Sequence, residues 1–197
     1  GENLKEYYFY LDSTPTHSYM KYLYKYPQSA YPYEDLVQTN RRRGRHEPEY
    51  ELLDTGVFDG GRYFDVFVEY AKAAPEDLLV RISVANRGPE AAPLHVLPTL
   101  WFRNTWSQKR GGSRPVLQAL QGAGHPVVQA HHTDPLFQES LADYCLHVEG
   151  DVPLLFTDND SNQQRLFGSP NPTPYVKDAF HELLIHGDTA AVNPQGN

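Results

Sequence analysis

The chain has 197 residues, a formal net charge of -8, and 40% hydrophobic and 13% aromatic residues, with a mean hydropathy of -0.60. That length fits one large all-β domain; the acidic balance excludes a general nucleic-acid surface, which needs net or clustered positive charge, and no apolar run is long enough to span a bilayer. Cys145 is the single cysteine, which excludes an intramolecular disulfide and, with no targeting pattern at the start, points to a reducing, cytoplasmic setting.

The chain opens Gly1-Glu2-Asn3, and Met20 is its one methionine. Two origins fit: a piece cut from a longer polypeptide, which is the expectation adopted, or removal of an initiator methionine before a small residue. Lys5 to Asp12 is a short aromatic strand closed by the turn formers Asp12, Ser13, Thr14 and Pro15. Thr16 to Tyr26 places Tyr19, Met20, Leu23 and Tyr24 three and four residues apart, which predicts a helical turn closed by Pro27. Tyr7, Tyr8, Tyr10, Tyr19, Tyr22, Tyr24, Tyr26 and Tyr31 crowd this segment. A tyrosine suits places where one end of the ring is dry and the other meets a polar group. Such a cluster is either a docking or sugar-facing wall or a set of half-buried aromatics at a sheet edge.

Tyr33 to Arg43 predicts a second short helix with Leu36 and Val37 inward. Its basic tail, Arg41-Arg42-Arg43-Gly44-Arg45, is answered by Glu47, Glu49 and Glu51, so local charge pairing explains it better than nucleic-acid binding. Four runs then predict an antiparallel meander: Glu51 to Phe58, Tyr63 to Tyr70, Leu78 to Val84 and Leu94 to Phe102. In the second run Phe64, Val66, Val68 and Tyr70 alternate with Tyr63, Asp65, Phe67 and Glu69, so one face is the drier. A basic, flexible loop follows over Gln108 to Pro115, then a hairpin over Val116 to Leu120 and Val127 to Ala130. Further strands are expected at Asp143 to Val148, Val152 to Thr157 and Phe180 to His186. The fold expected is mainly β, an antiparallel β-sandwich with a few short helices, as a single domain over residues 1–197.

Chemistry is sparse. His131-His132-Thr133-Asp134 offers metal-ligand types, yet adjacent strand residues face opposite sides and do not share one ion. Asp158-Asn159-Asp160 begins like a calcium loop, but Gln163 replaces the required glycine and Ser169 the bidentate glutamate, so a solvated turn is expected. No catalytic residue, metal or cofactor is assigned. Trp101 and Trp106 flank Arg103 and Asn104: either a stacking and hydrogen-bonding site for a sugar, or a ring packed on the sheet with polar side chains satisfying the loop backbone.

Four stretches carry a resemblance: Lys5 to Pro27, which includes Tyr7-Tyr8-Phe9-Tyr10-Leu11-Asp12-Ser13-Thr14-Pro15-Thr16-His17-Ser18-Tyr19; Glu51-Leu52-Leu53-Asp54-Thr55-Gly56-Val57-Phe58; Leu97-Pro98-Thr99-Leu100-Trp101-Phe102-Arg103-Asn104-Thr105-Trp106; and Val176-Lys177-Asp178-Ala179-Phe180-His181. They resemble glycoside hydrolase family 63, the family of processing α-glucosidase I and its bacterial relatives. The resemblance implies an N-terminal β-sandwich of supersandwich type that precedes an (α/α)6 barrel, where the acid and base of an inverting α-glycosidase reside. A barrel of a dozen amphipathic helices has no counterpart in a chain with two or three short helical stretches, so this chain alone is expected to be inactive and to support its own C-terminal catalytic domain. Tyr8, Tyr10, His17, Tyr19, Trp101, Arg103, Asn104 and Trp106 are the candidates for substrate binding or domain docking. The alternative is a self-standing carbohydrate-binding module that takes an oligosaccharide. Neither reading involves nucleic acid or membrane.

Overall fold

A computed structural model of the chain describes residues 6–104, 106, 114–132 and 143–196. The architecture is mainly β, as the alternation in the sequence predicts: the described residues form a four-stranded and a three-stranded antiparallel sheet with three short helices. The chain divides into two compact units, Gly1–Val96 and Leu97–Asn197.

The first unit is a meander of β1 (Tyr7–Ser13), β2 (Tyr19–Pro27), β3 (Tyr63–Ala74) and β4 (Asp77–Asn86), hydrogen-bonded in the order β1-β2-β3-β4. β2 overturns the helix expected over Thr16 to Tyr26. The same residues alternate at period two, Met20, Tyr22, Tyr24 and Tyr26 against Lys21, Leu23 and Lys25, and tyrosine packs better on a pleated surface than along a helix. Helix α1 (Tyr33–Arg42) forms as expected, with Leu36 and Val37 half-buried. It is tied to the next segment by Asn40, whose side chain donates to the Tyr50 carbonyl at 2.9 Å and accepts from the Tyr50 amide at 2.8 Å. Of the basic tail, Arg43 donates to the Pro48 carbonyl and sits 5.1 Å from the centre of the Tyr50 ring.

Glu51 to Phe58 is not a strand but a 3-10 turn, Leu52–Thr55. Asp54 accepts from the Glu51 amide at 2.8 Å, and Thr55 donates to the Leu52 carbonyl at 2.6 Å. Short polar side chains thus give the backbone a local alternative to a ladder. Gly56 ends the turn at φ 72, where a Cβ would stand 2.9 Å from the Asp59 carboxylate. The turn buries Leu52, one of the two most enclosed large side chains among the described residues.

The second unit holds β5 (Val116–Ala119), β6 (Val127–His131) and β7 (Tyr144–His147), in the order β5-β6-β7. Its buried residues are Val127, Val128, Ala130, Phe156, Val176 and Ala179. The predicted hairpin and the strand within Asp143 to Val148 are present; Leu94 to Phe102 and Val152 to Thr157, expected as strands, lie outside the regular elements. Phe180 to His186, expected as a strand, is helix α3 (Phe180–His186), closed by Gly187 in the left-handed region. Its apolar residues Leu183, Leu184 and Ile185 are consecutive, a run whose periodicity does not separate strand from helix. Helix α2 (Gln163–Phe167) precedes it. Of the basic loop predicted over Gln108 to Pro115, residues 108–113 lie outside the described residues, as do Thr133 and Asp134.

Candidate functional site

The register of the four-stranded sheet sorts its side chains into a face of rings and aliphatics and a face that sets charged rows around the apolar row Phe9, Leu23 and Phe67. Directly opposed residues share a face. Tyr8, Tyr24, Val66 and Val84 therefore form one row, Tyr10, Tyr22, Val68 and Ile82 the next, and Met20, Tyr70 and Val80 a third. On the other face Asp12, Lys21, Glu69 and Arg81 form a row, and Lys25 stands opposite Asp65. The irregular pairing between Tyr10 and Asp12 lets Asp12 join the charged face, because a bulge resets the alternation.

On the charged face Asp65 and Glu69 are both satisfied. Asp65 is buried and accepts from Lys25 Nζ and Arg87 Nε, each at 2.7 Å. Burial alone would raise its pKa, but the two cationic donors outweigh that and hold it below the ordinary value. Glu69 accepts from the Tyr19 hydroxyl at 2.6 Å and from Arg81 Nε at 2.9 Å, hydrogen bonds that lower its pKa and raise that of Tyr19. Phe58 packs at one end of the face with edge contacts to Tyr7 and Tyr63, at 5.9 and 5.7 Å between ring centres.

The aromatic face is open. Tyr10 is 84% exposed, Tyr8 52% and Val80 50%, although Phe64 and Val68 on the same face are buried. Tyr8 and Tyr10 meet edge to face at 5.9 Å. Burial within this face pushes up the hydroxyls of Tyr22 and Tyr24, so both stay neutral at physiological pH. Beside them lies a hollow of about 290 Å³ lined by Tyr10, Met20, Tyr22 and Tyr70 together with the polar Asp12, Ser13, His17 and Lys21.

His17 reaches the hollow from the β1–β2 turn. Its φ of 51 lies in the left-handed region, which a residue with a Cβ seldom enters. The turn holds it there: His17 N donates to the Thr14 carbonyl at 2.9 Å, Tyr19 N to Thr14 Oγ1 at 3.1 Å, and Ser13 Oγ lies 3.3 Å from His17 Nδ1. Strained backbone of this kind concentrates where a surface is used. The hollow is of side-chain or single-sugar size, and Asp12 is the one carboxylate in its lining. It suits packing against rings and apolar side chains; it does not assemble the pair of acids that glycoside hydrolysis needs.

The sequence candidates thus separate. Tyr8, Tyr10 and His17 come together on the aromatic face, while Tyr19 turns to the charged face and serves Glu69. Trp101 is 60% exposed with Lys177 Nζ 5.6 Å from its ring centre, Arg103 is exposed and Trp106 half-buried. Asn104 donates to the Asn159 carbonyl at 2.9 Å, and Asn159 donates to the Phe102 carbonyl at 2.5 Å, so Asn104 serves the loop backbone.

Sequence reasoning missed a second hollow, of about 510 Å³, beside α3. Asp178 lines it and accepts from Arg165 at 2.9 Å and from Asn162 at 3.1 Å, donors that outweigh its burial and lower its pKa. The signal in the sequence was Asn162, which caps α2 by accepting from the Arg165 amide at 3.0 Å. In the calcium-like stretch, Asp160 pairs with Arg114 at 2.7 Å and Asp158 accepts from Thr173 Oγ1 at 2.5 Å. Among the described residues, no three of His, Cys, Asp and Glu converge to hold a metal, and no helix is long and apolar enough to cross a membrane.

No protein-family model matches the chain, and no solved structure matches it. Among curated proteins it is similar to the uncharacterized protein YMR196W of Saccharomyces cerevisiae, with 41% identity over 222 residues that take in 99% of this chain and 20% of the yeast protein. The chain therefore spans about one fifth of the length of that relative.

Proposed function

We propose that this chain is the non-catalytic, N-terminal β domain of a cytoplasmic α-glycosidase resembling glycoside hydrolase family 63. It supports an (α/α)6 catalytic domain of the same polypeptide and lends aromatic side chains to one rim of the sugar pocket. The observation that carries this reading is the open aromatic face. Tyr8, Tyr10 and Val80 stand exposed on it, whereas the carboxylates Asp65 and Glu69 of the opposite face already have their donors within the unit. Exposed apolar patches of this kind mark interaction surfaces. The yeast relative, in which four fifths of the chain lies beyond the similar region, fits a domain that works as part of something larger.

The test compares this chain with the full reading frame that contains it. Hydrogen exchange at β1, β2 and β4 is expected to slow in the longer polypeptide, and hydrolysis of an aryl α-glucoside to appear only there. Unchanged exchange in all three strands, or hydrolysis by the 197-residue chain itself, rejects the proposal.

One observation favours a second reading, a sugar-binding module: Trp101 is 60% exposed. That reading requires calorimetric heat with gluco- or manno-oligosaccharides that disappears in Trp101→Ala.

A further inference from the structure

The two edges of the four-stranded sheet are built differently. β1 carries a bulge at Leu11, between its pairings of Tyr10 with Tyr22 and Asp12 with Lys21, and the chain turns away at Ser13-Thr14-Pro15. A bulge and a nearby proline are devices that blunt a sheet edge against further pairing. β4 has neither. Between Asp77 and Arg87 it reads Leu78-Leu79-Val80-Arg81-Ile82-Ser83-Val84-Ala85-Asn86, with one charge and no lysine or proline. Leu78 and Leu79 are each 58% exposed, and Val80 and Val84 are exposed as well.

The phase of the β3–β4 ladder decides which groups of β4 lie open. Arg87 N donates to the Tyr63 carbonyl at 2.9 Å, so these two residues are a hydrogen-bonded pair. Such pairs alternate with non-bonded ones along an antiparallel ladder. Leu79, Arg81, Ser83 and Ala85 therefore bond to β3, while Leu78, Val80, Ile82, Val84 and Asn86 turn their N–H and C=O groups away from it. Among the described residues no backbone hydrogen bond reaches this outer row. A second β4 fits it. Antiparallel pairing about a two-fold axis at Ile82 sets Val80 against Val84 of the second copy, Leu78 against its Asn86, Leu79 against its Ala85, Arg81 against its Ser83 and Asp77 against its Arg87. Every outward group then meets an outward group, and the only charges directly opposed are of opposite sign. A shift of one residue would oppose outward groups to inward ones. A shift of two either sets Arg81 against its own copy or faces Leu79 with Arg87 and Asp77 with Pro89.

We propose that β4 is a homodimer seam: two copies of this chain join edge to edge through antiparallel β4 strands centred on Ile82, and their four-stranded sheets become one continuous sheet. The pairing closes on itself, because the outer edges of the joined sheet are both β1, whose bulge opposes further addition. The seam uses the edge of the sheet and not the aromatic face proposed for docking, so neither reading rests on the other.

The test is sedimentation equilibrium of the 197-residue chain, paired with oxidation of cysteine variants made in Cys145→Ser. A concentration-dependent dimer is expected, weakened about tenfold or more by Val80→Lys, which sets a charge against Val84 twice in each dimer. Tyr10→Ser should leave the dimer intact. Positions 80 and 84 lie about 13 Å apart within one strand, beyond the roughly 7 Å that a disulfide spans. The double variant Val80→Cys/Val84→Cys is therefore expected to give a covalent dimer, and either single variant to give none. A monomer at every concentration, a dimer unaffected by Val80→Lys, or equal crosslinking by the single and double variants would overturn the seam. A longer polypeptide that stays monomeric would overturn it too, since a strand of the same chain would then hold the edge. Val80 and Val84 are exposed, so the variants keep the fold, which circular dichroism verifies.

Discussion

Phe64 and Asp65 are neighbours on β3, both buried, and they face opposite ways. Phe64 belongs to a face of rings and branched aliphatics that runs out into solvent at Tyr10 and Val80; Asp65 belongs to a face where cation and carboxylate alternate across the strands and answer one another. On the charged face Asp65 and Glu69 have their donors on neighbouring elements. The aromatic face continues past the point where the chain covers it. One face thus favours this register, because a one-residue slip would strand Asp65 among apolar groups, while the other is the face proposed for docking.

The largest effect should come from the buried end of the aromatic face. Phe64→Ala is expected to destabilise the chain by about 3 kcal/mol or more, through lost transfer energy and the cavity left behind. Urea unfolding measures it, and a loss below about 1 kcal/mol would mean that Phe64 is not part of a packed core.

Asp65→Asn tests the charged face and should cost less, about 2 kcal/mol. Lys25 and Arg87 keep 29% and 49% of their side-chain surface exposed, so water takes up part of the charge left behind. The pH dependence has a definite sign. Asp65 has a folded pKa below its ordinary value, so its contribution is present above about pH 4 and is lost as the pH falls through the folded value. The acid limb of the stability curve should therefore flatten in Asp65→Asn, and an unchanged limb would remove Asp65 from the account. Tyr19→Phe, which deletes one of the donors to Glu69, should shift the unfolding midpoint in the same direction by less than Asp65→Asn.

Much of this contrast was legible in the sequence. The alternation in Tyr63 to Tyr70 fixes both faces of β3, and Tyr33 to Arg43 announces α1. The residues of β2 satisfy two periods at once, since Tyr19, Met20, Leu23 and Tyr24 fit a helix and Met20, Tyr22, Tyr24 and Tyr26 fit a strand. Pairing with Ser13 through Tyr7 on one side and Tyr63 through Ala71 on the other decides between them, and such pairing is not written in a local window. Glu51 to Phe58 and Phe180 to His186 differ for the reverse reason: their structure is set by short-range signals, the Asp54 cap and the Gly187 terminator, while their apolar content by itself fits a strand. At the candidate site, tyrosine density points to a surface, but assigning Tyr19 to the other face from Tyr8 and Tyr10 requires the register. The Asn104 to Asn159 clamp joins residues 55 apart and leaves no trace in spacing.

The smallest stability effect is the most informative about function. Tyr10→Ser and Val80→Thr replace side chains that are 84% and 50% exposed, so each should change the stability of this chain by no more than about 0.5 kcal/mol. In the longer polypeptide the same two substitutions should lower stability and aryl α-glucosidase activity, because there the face is expected to be covered. The sensitivity of one residue thus reports what lies against it. If Tyr10→Ser instead weakens the isolated chain as much as Asp65→Asn does, the aromatic face is already packed within these residues, and its role as a docking surface falls. If it changes neither the short chain nor the long one, the face remains in water in both, and the sugar-binding reading becomes the one to pursue.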